Sequence, residues 1–320
     1  MKAVFVLFLL AVASAAETPD GIIEEVMRKQ IFLDENNIGP GVIDGRPGRV
    51  TDQAVAIWRQ HHPEDETDEA FAATVLDAVP ELTAFATVPD IAKKYVDPNL
   101  PSNKEKQAKL KALNYRSYAE FMAERYHTTE TTLARLNSWS EVKKLKPRSG
   151  IKVPAVTPFL IEEIESKVYK KHDEISKYQA DVDTEEKRID ISRFVQSEDD
   201  PEVLKYEFVG NFPITPGKPQ FIRYGEWNVK NCVTLPNWRY DKSLLKTGVR
   251  SDEALMIPPG PNNPVGIIWV GLTRQGIGIH GTSDPQSISR SQSAGCIRTA
   301  NWDAIRLADM LRPGSSVLIR

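Results

Sequence analysis

The sequence predicts a multidomain α+β protein, and three observations support that prediction. In residues 17–95, apolar residues recur at helical spacing on both sides of a turn-rich stretch. Residues 112–156 hold two more helical stretches and then a strand. From about residue 176, short alternating apolar runs are broken by Gly, Pro and Asn, which is typical of a mainly β region. We therefore expect a small helical domain, a mixed module and a C-terminal β sandwich or barrel over 165–320, with one late helix.

The first sixteen residues, "MKAVFVLFLLAVASAA", have the pattern of a secretory signal peptide. Lys2 precedes an apolar run, and the small residues at 13–15 offer a cleavage site. No cysteine stands directly after this run, and no later stretch reaches the roughly 18 apolar residues of a membrane span. We expect export to the periplasm or cell wall without a membrane anchor.

The helical region begins with a helix predicted over residues 22–33. The stretch "IGPGVIDGRPG" then favours turns, and Thr51 is predicted to cap a second helix whose buried stripe includes Trp58. A helix, a Gly-rich loop and a capped helix in this order resemble the small helical peptidoglycan-binding domain.

Residues 96–107, rich in Pro, Asn and charge, are predicted to be a linker. Helices over 118–126 and 129–136, followed by the strand "IKVP", resemble the LysM module, a βααβ glycan-binding unit whose first strand the sequence does not locate. His127, in the turn, is expected to be exposed. Trp139 is expected to be able to stack on a sugar face.

The net charge of −3 divides unevenly along the chain. Residues 206–320 carry a net +5 and residues 1–205 a net −8. A basic half suits an anionic ligand such as a peptide with free carboxylates, although ordinary surface variation explains the charge equally well. Only two cysteines are present, which argues against a disulfide scaffold and leaves either free thiols or a single bridge.

His280 and Cys296 lie sixteen positions apart, and each stands beside a glycine. A cysteine nucleophile needs a base such as histidine, and acyl transfer needs backbone N–H donors for the developing oxyanion. Glycines leave room for a tight backbone and a substrate chain. The spacing alone is equally compatible with a buried core thiol and a structural strand histidine.

The stretches "IHGT", "SAGCIR" and "NWDA" resemble the signature of the L,D-transpeptidase catalytic domain family, and the likeness extends over residues 178–320. The resemblance implies a cysteine enzyme without metal or organic cofactor, acting as a monomer on peptidoglycan and not on nucleic acid. It implies these roles: Cys296 as nucleophile, His280 as general base, Gly281 as the residue orienting the imidazole, Gly295 and Cys296 as oxyanion N–H donors, and Ser293 and Arg298 as substrate-binding residues.

Family chemistry implies attack on the bond between the third and fourth residues of a tetrapeptide stem, and then a three-to-three crosslink. Water as acceptor makes the protein an L,D-carboxypeptidase, and a protein amine makes it an anchoring enzyme. A wall-binding scaffold with a decayed site is a further alternative, whereas a papain-like protease has the reverse Cys–His order. Ala294 stands where the family often has His.

Two further expectations concern Cys232 and the N-terminal modules. Cys232 is expected to be a half-buried structural thiol, and a bridge to Cys296 would block the site. Residues 165–320 are expected to act on small muropeptides without the N-terminal modules, which would hold the enzyme on intact sacculi.

Overall fold

The computed structural model of the protein describes residues 23–197, 204–247, 249–292 and 295–320. The signal peptide expected over residues 1–16 lies outside the described residues, as do Ser293 and Ala294. Within these ranges, no helix is both long and apolar enough to cross a membrane.

The helices of the described chain fall mostly in its first half. They are α1 Glu24–Glu35, α2 Arg49–His61, α3 Asp68–Ala78, α4 Lys104–Gln107, α5 Tyr118–Arg125, α6 Glu130–Leu136, α7 Trp139–Val142, α8 Lys242–Thr247 and α9 Asn301–Met310.

The strands fall mostly in the second half. They are β1 Thr83–Thr87, β2 Gly150–Pro154, β3 Val168–Tyr169, β4 Gln179–Asp183, β5 Arg188–Gln196, β6 Leu204–Pro213, β7 Gly225–Thr234, β8 Trp238–Tyr240, β9 Leu255–Ile257, β10 Ile268–Leu272, β11 Gly278–His280, β12 Ile297–Arg298 and β13 Ser316–Ile319. The mixed α+β class is as predicted, with a short helix α8 that the sequence did not indicate.

Helices α1 to α3 enclose an apolar cluster of their own. The Phe32 ring meets Trp58 edge-on at 4.6 Å between centroids, and Trp58 is buried as predicted. Thr51 does not cap α2, because the cap position is Gly48. The Thr51 hydroxyl instead lies in the first turn and accepts a hydrogen bond from the buried Gln30 amide at 3.2 Å.

A two-stranded antiparallel sheet, β1 with β2, accompanies α5 and α6. Strand β1 is the partner that sequence reasoning could not locate, and it lies within the range assigned to the helical domain. The segment predicted as a linker also has structure, since it contains all of α4 and Leu100 packs with Leu113 and Ile257. The LysM assignment and the domain boundaries remain predictions.

The C-terminal half is built on a nine-stranded mixed sheet in the order β12-β11-β10-β7-β13-β4-β5-β6, with β3 pairing β7. Strands β4 and β5 form an antiparallel hairpin, joined by a turn at 184–187. An isolated antiparallel bridge between Thr215, just after β6, and Arg298 in β12 brings the two ends of this order together. The sheet therefore curls round a shared core and is nearly closed.

That core does not stop at the C-terminal half. One buried apolar cluster includes residues of α5 and α6, such as Phe121 and Leu133, together with Ile189 and Ile279 of the large sheet and Leu307 of α9. Burial of apolar surface is the main favourable term in folding. The module around α5 and α6 is therefore joined to the C-terminal half by its core, whereas the α1–α3 cluster is separate.

Candidate active site

His280 ends the short strand β11, which lies between β10 and β12. It pairs with Trp269 on one side and with Arg298 on the other. Its side chain is only 4% exposed, and the ring stacks on Trp269 at 5.7 Å between centroids. The sheet and this indole together fix the position of the imidazole.

The imidazole Nδ1 lies 2.7 Å from the carbonyl oxygen of Gly281. A carbonyl only accepts, so Nδ1 must donate, and the neutral ring keeps its free lone pair on Nε2. Burial lowers the pKa of His280 to about 4; the positive charge of Arg298 adds to this effect, and the Gly281 hydrogen bond opposes it. The ring is therefore a neutral base at ordinary pH.

Cys296 stands one residue before β12, which runs parallel to β11 with Ile297 opposite Ile279. Extending this register places Cys296 opposite Gly278. Its side chain then leaves the same face as His280, because alternate residues of a strand share a face. Cys296 and His280 are therefore diagonal neighbours on adjacent strands. The Cα atoms of such neighbours are about 7–8 Å apart, a distance that longer side chains can span.

The Cys296 thiol donates to the carbonyl oxygen of Gly276 at 3.6 Å. Burial raises its pKa, while the backbone of Gly278 and the charge of Arg298 act in the opposite direction. A raised thiol pKa beside a lowered imidazole pKa favours a neutral pair at rest over a thiolate–imidazolium pair. Such a pair requires proton transfer during attack on a substrate.

Gly295 precedes the thiol with φ +125°, a conformation that residues with a side chain rarely adopt. The chain here is also crowded: a Cβ on Gly217 would lie 2.5 Å from the Cα of Gly295, and one on Gly295 would touch Phe221 at 3.4 Å. Glycine at both positions is what allows the backbone beside Cys296 to lie against the 217–221 segment.

The structure brings His280, Gly281, Gly295, Cys296 and Arg298 together around the β11–β12 pair. The backbone of Arg298 exchanges both hydrogen bonds with Thr215, at 2.8 and 3.0 Å, and its side chain is half-buried. Ser293 is outside the described residues, so its predicted role stays a prediction.

Cys232 is fully buried in β7, not half-buried as predicted. Neither Cys232 nor Cys296 is in a disulfide, so the bridge considered from sequence is absent from this structure. Burial raises the pKa of the Cys232 thiol to about 12, which makes it a poor nucleophile.

Two polar residues near the site were missed by sequence reasoning. Asn301 is the first residue of α9, whose cap position is Ala300, and no side-chain hydrogen bond caps this helix. Its Nδ2 donates to Oε1 of Glu124 at 2.5 Å, and its Oδ1 accepts from the backbone N–H of Ile267 at 3.2 Å. A carboxylate directly after the apolar run Phe121–Ala123 was the available signal for Glu124.

Within the described residues there is no group of three His, Cys, Asp or Glu side chains that could hold a metal ion.

Comparison with known proteins shows which family the chain resembles in sequence. Residues 90–319 match the YkuD family model, described as the L,D-transpeptidase catalytic domain. YkuD of Bacillus licheniformis is 44% identical over 61 residues, which cover 19% of this chain and 37% of that protein. YqjB of Bacillus subtilis is 38% identical over 123 residues, covering 37% and 62%. The chain thus spans little more than a third of the first relative.

Similar solved structures include an L,D-transpeptidase from Mycobacterium smegmatis, 17% identical, with a TM-score of 0.33 and coverage of 45% of this chain and 58% of that one. L,D-transpeptidase 3 from Mycobacterium tuberculosis is 13% identical, with a TM-score of 0.32 and coverage of 55% and 76%. These scores are too low to support an argument, so the assignment rests on the family model. Because that model matches most of the chain, the protein belongs to the L,D-transpeptidase catalytic domain family.

Proposed function

We propose that the protein is an exported L,D-transpeptidase that acts as a monomer on peptidoglycan and forms three-to-three crosslinks. The observation that carries the proposal is the hydrogen bond from Nδ1 of His280 to Gly281, which leaves Nε2 free as a base on the face that Cys296 shares. A thiol and a neutral imidazole in this arrangement suit acyl transfer.

In the proposed reaction, the Cys296 thiol gives its proton to Nε2 of His280 as sulfur attacks the carbonyl carbon of the third stem residue. The tetrahedral oxyanion is held by the backbone N–H groups of Gly295 and Cys296. The bond to D-alanine breaks, and its amine takes the proton from the imidazolium. A thioester to the third residue remains.

A side-chain amine of a second stem then attacks the thioester, gives a proton to His280 and forms a new amide. Cys296 leaves as a thiolate and recovers its proton from the imidazolium. Arg298 and Ser293 are proposed to hold substrate carboxylate or carbonyl groups. Water as acceptor gives L,D-carboxypeptidase activity, and a protein amine gives anchoring. The N-terminal regions are proposed to bind the wall polymer.

The test is incubation of the purified mature chain with disaccharide tetrapeptides, with products identified by mass spectrometry. We expect release of D-alanine and a crosslinked dimer, and a single covalent adduct with a carbapenem. Cys296→Ala should abolish turnover and adduct, while Cys232→Ala should keep both. An adduct that persists in Cys296→Ala would remove Cys296 as the nucleophile. A hydrolysed product without any dimer would favour the carboxypeptidase.

A further inference from the structure

Helix α5, in the N-terminal half, sends two carboxylates toward the C-terminal half. Oε1 of Glu120 accepts from the side-chain amide of Asn262 at 2.9 Å, and Oε1 of Glu124 accepts from that of Asn301 at 2.5 Å. Glu120 thereby contacts the 258–265 loop, while Glu124 contacts the first residue of α9. The second of these contacts continues through Asn301 toward the candidate active site.

Asn301 is wedged against the backbone that follows the catalytic strand. A Cβ on Gly281 would lie 2.1 Å from Oδ1 of Asn301, and a Cβ on Gly266 would lie 2.2 Å from the same atom. The carbonyl oxygen of Gly281 accepts the hydrogen bond from Nδ1 of His280. A short chain of contacts therefore runs from Glu124 through Asn301 and Gly281 to the imidazole.

The amide of Asn301 has two possible orientations that differ by a flip of its oxygen and nitrogen. Its Oδ1 must face the Ile267 N–H to accept from it, and its Nδ2 must then face an acceptor. Glu124 is that acceptor. Without Glu124, the buried NH₂ group would lose its acceptor, and the Ile267 N–H would be left to hold the orientation of the amide.

Glu124 is nearly fully buried, and burial raises its pKa to about 8; the nearby Glu120 charge adds to this, and hydrogen bonds with Asn301 and Tyr115 oppose it. The group is therefore a neutral acid at neutral pH. A glutamine has the same shape and the same acceptor oxygen, so it can replace Glu124 in this contact.

We propose that Glu124 is a positioning residue for His280, acting through Asn301 and Gly281, so that the N-terminal half helps to build the active site. The inference rests on the proposed function in that His280 is taken to be the base. It assigns helix α5 a part in the reaction in addition to any role in wall binding.

The test compares Glu124→Ala, Glu124→Gln and Glu120→Ala in the full mature chain, with kcat and KM measured on soluble disaccharide tetrapeptides. We expect Glu124→Ala to lower kcat about 10–100-fold with KM within about twofold, because a displaced base slows the chemical step without removing a substrate contact. Glu124→Gln should restore kcat to near that of the unmodified protein.

Glu120→Ala is the matched control, since it removes a carboxylate contact of the same helix with the same half of the molecule. We expect it to lower the melting temperature as much as Glu124→Ala does, with kcat within about twofold. Equal losses of kcat in the two alanine variants, or an unchanged kcat in a folded Glu124→Ala, would overturn the proposal.

A second readout does not depend on turnover. Proton–nitrogen spectra of protein with isotope-labelled histidine report which ring nitrogen carries the proton, with His280 assigned by comparison with His280→Ala. We expect the Nδ1–H form in the unmodified protein and in Glu124→Gln, and a shift toward the Nε2–H form in Glu124→Ala. If the tetrapeptide is not turned over but this shift occurs, the proposed function fails and the positioning role stands. An unchanged tautomer in Glu124→Ala would overturn the positioning role.

Discussion

The two most deeply buried histidines, His280 and His127, have similar surroundings and different partners. His127 is 2% exposed and stacks on Trp302 at 5.1 Å, much as His280 stacks on Trp269. The Nδ1 of His280 meets a neutral carbonyl, whereas the Nδ1 of His127 lies 2.8 Å from the carboxylate of Asp34. The partner of Nδ1 therefore separates a ring that is free to act as a base from a ring held in a charged cluster.

The cluster around His127 joins three parts of the chain. Asp34 lies in the last turn of α1, and His127 lies between α5 and α6. Arg306 of α9 is also 2.8 Å from the Asp34 carboxylate. Burial opposes ionisation of Asp34, but the charges of His127 and Arg306 outweigh it and lower its pKa. The expectation that His127 is exposed was wrong, because the turn that holds it packs against α1 and α9. His127 fixes these elements to one another.

The largest expected effect comes from His280→Ala. A general base contributes on the order of 10²–10⁴-fold to a rate, so kcat should fall by that amount. The fold should persist, because His280 ends a strand and its ring makes no ion pair in the described structure. Rates on tetrapeptides and circular dichroism measure the two quantities. A folded variant with nearly full activity would show that His280 is not the base for Cys296.

The converse is expected for His127→Ala. Removing a hydrogen-bond partner of a buried carboxylate costs about 1–3 kcal/mol, and the low end applies here because Arg306 still faces Asp34. Urea unfolding should show this loss of stability, while kcat of the folded fraction stays within about twofold. If His127→Ala instead removed activity without lowering stability, the distinction between the two histidines would fail.

The pH dependence of the rate tests the lowered pKa of His280. The pKa of His280 is lowered from 6.5 to about 4, so the base stays neutral down to that pH. The acid limb of kcat/KM, which reports the free enzyme, should therefore fall near pH 4. A loss of half of kcat/KM near pH 6.5 in folded protein would contradict the lowered pKa of His280.

The lowered pKa of His280 also makes the stability of the fold depend on pH, and the rate measurements need a control for this. An unfolded histidine binds a proton below about pH 6.5, whereas the folded His280 binds one only near pH 4. The unfolded state therefore holds more protons in this window, and stability declines as the pH falls from about 6.5 to 4. Circular dichroism at each pH separates this loss of folded protein from protonation of the base.

Sequence reasoning succeeded where the signal is local. The hairpin turn at 184–187, the paired helices at 118–126 and 129–136 and the late helix follow from periodicity and turn residues within a short window. The pairing of Cys296 with His280 was inferred from residues close to one another in sequence, and it stays a prediction.

It failed where a contact joins distant residues. Strand β1 finds its partner β2 more than sixty residues later, and its five residues carry no signal of that pairing. Asn301 follows the pattern of a helix cap but points to Glu124, on a helix far upstream. Because α5 shares both a core and this contact with the C-terminal half, we no longer expect residues 165–320 alone to keep the full rate.

The smallest expected effect concerns a third tryptophan. Trp269 and Trp302 stack on the two buried imidazoles, whereas Trp139 is 49% exposed at the start of α7, with the Lys143 ammonium 5.8 Å from its ring centroid. An exposed indole offers an apolar face on which a sugar ring can pack. Trp139→Ala should therefore weaken sedimentation with intact sacculi several-fold, while kcat on soluble tetrapeptides stays unchanged, since local concentration matters only on a polymer. Phe194→Ala is the matched control, because it removes an exposed aromatic ring from β5 in the C-terminal half. Equal weakening in both variants, or none in Trp139→Ala, would count against a glycan-binding role for the N-terminal module and leave helix α5 with its contact to the active site alone.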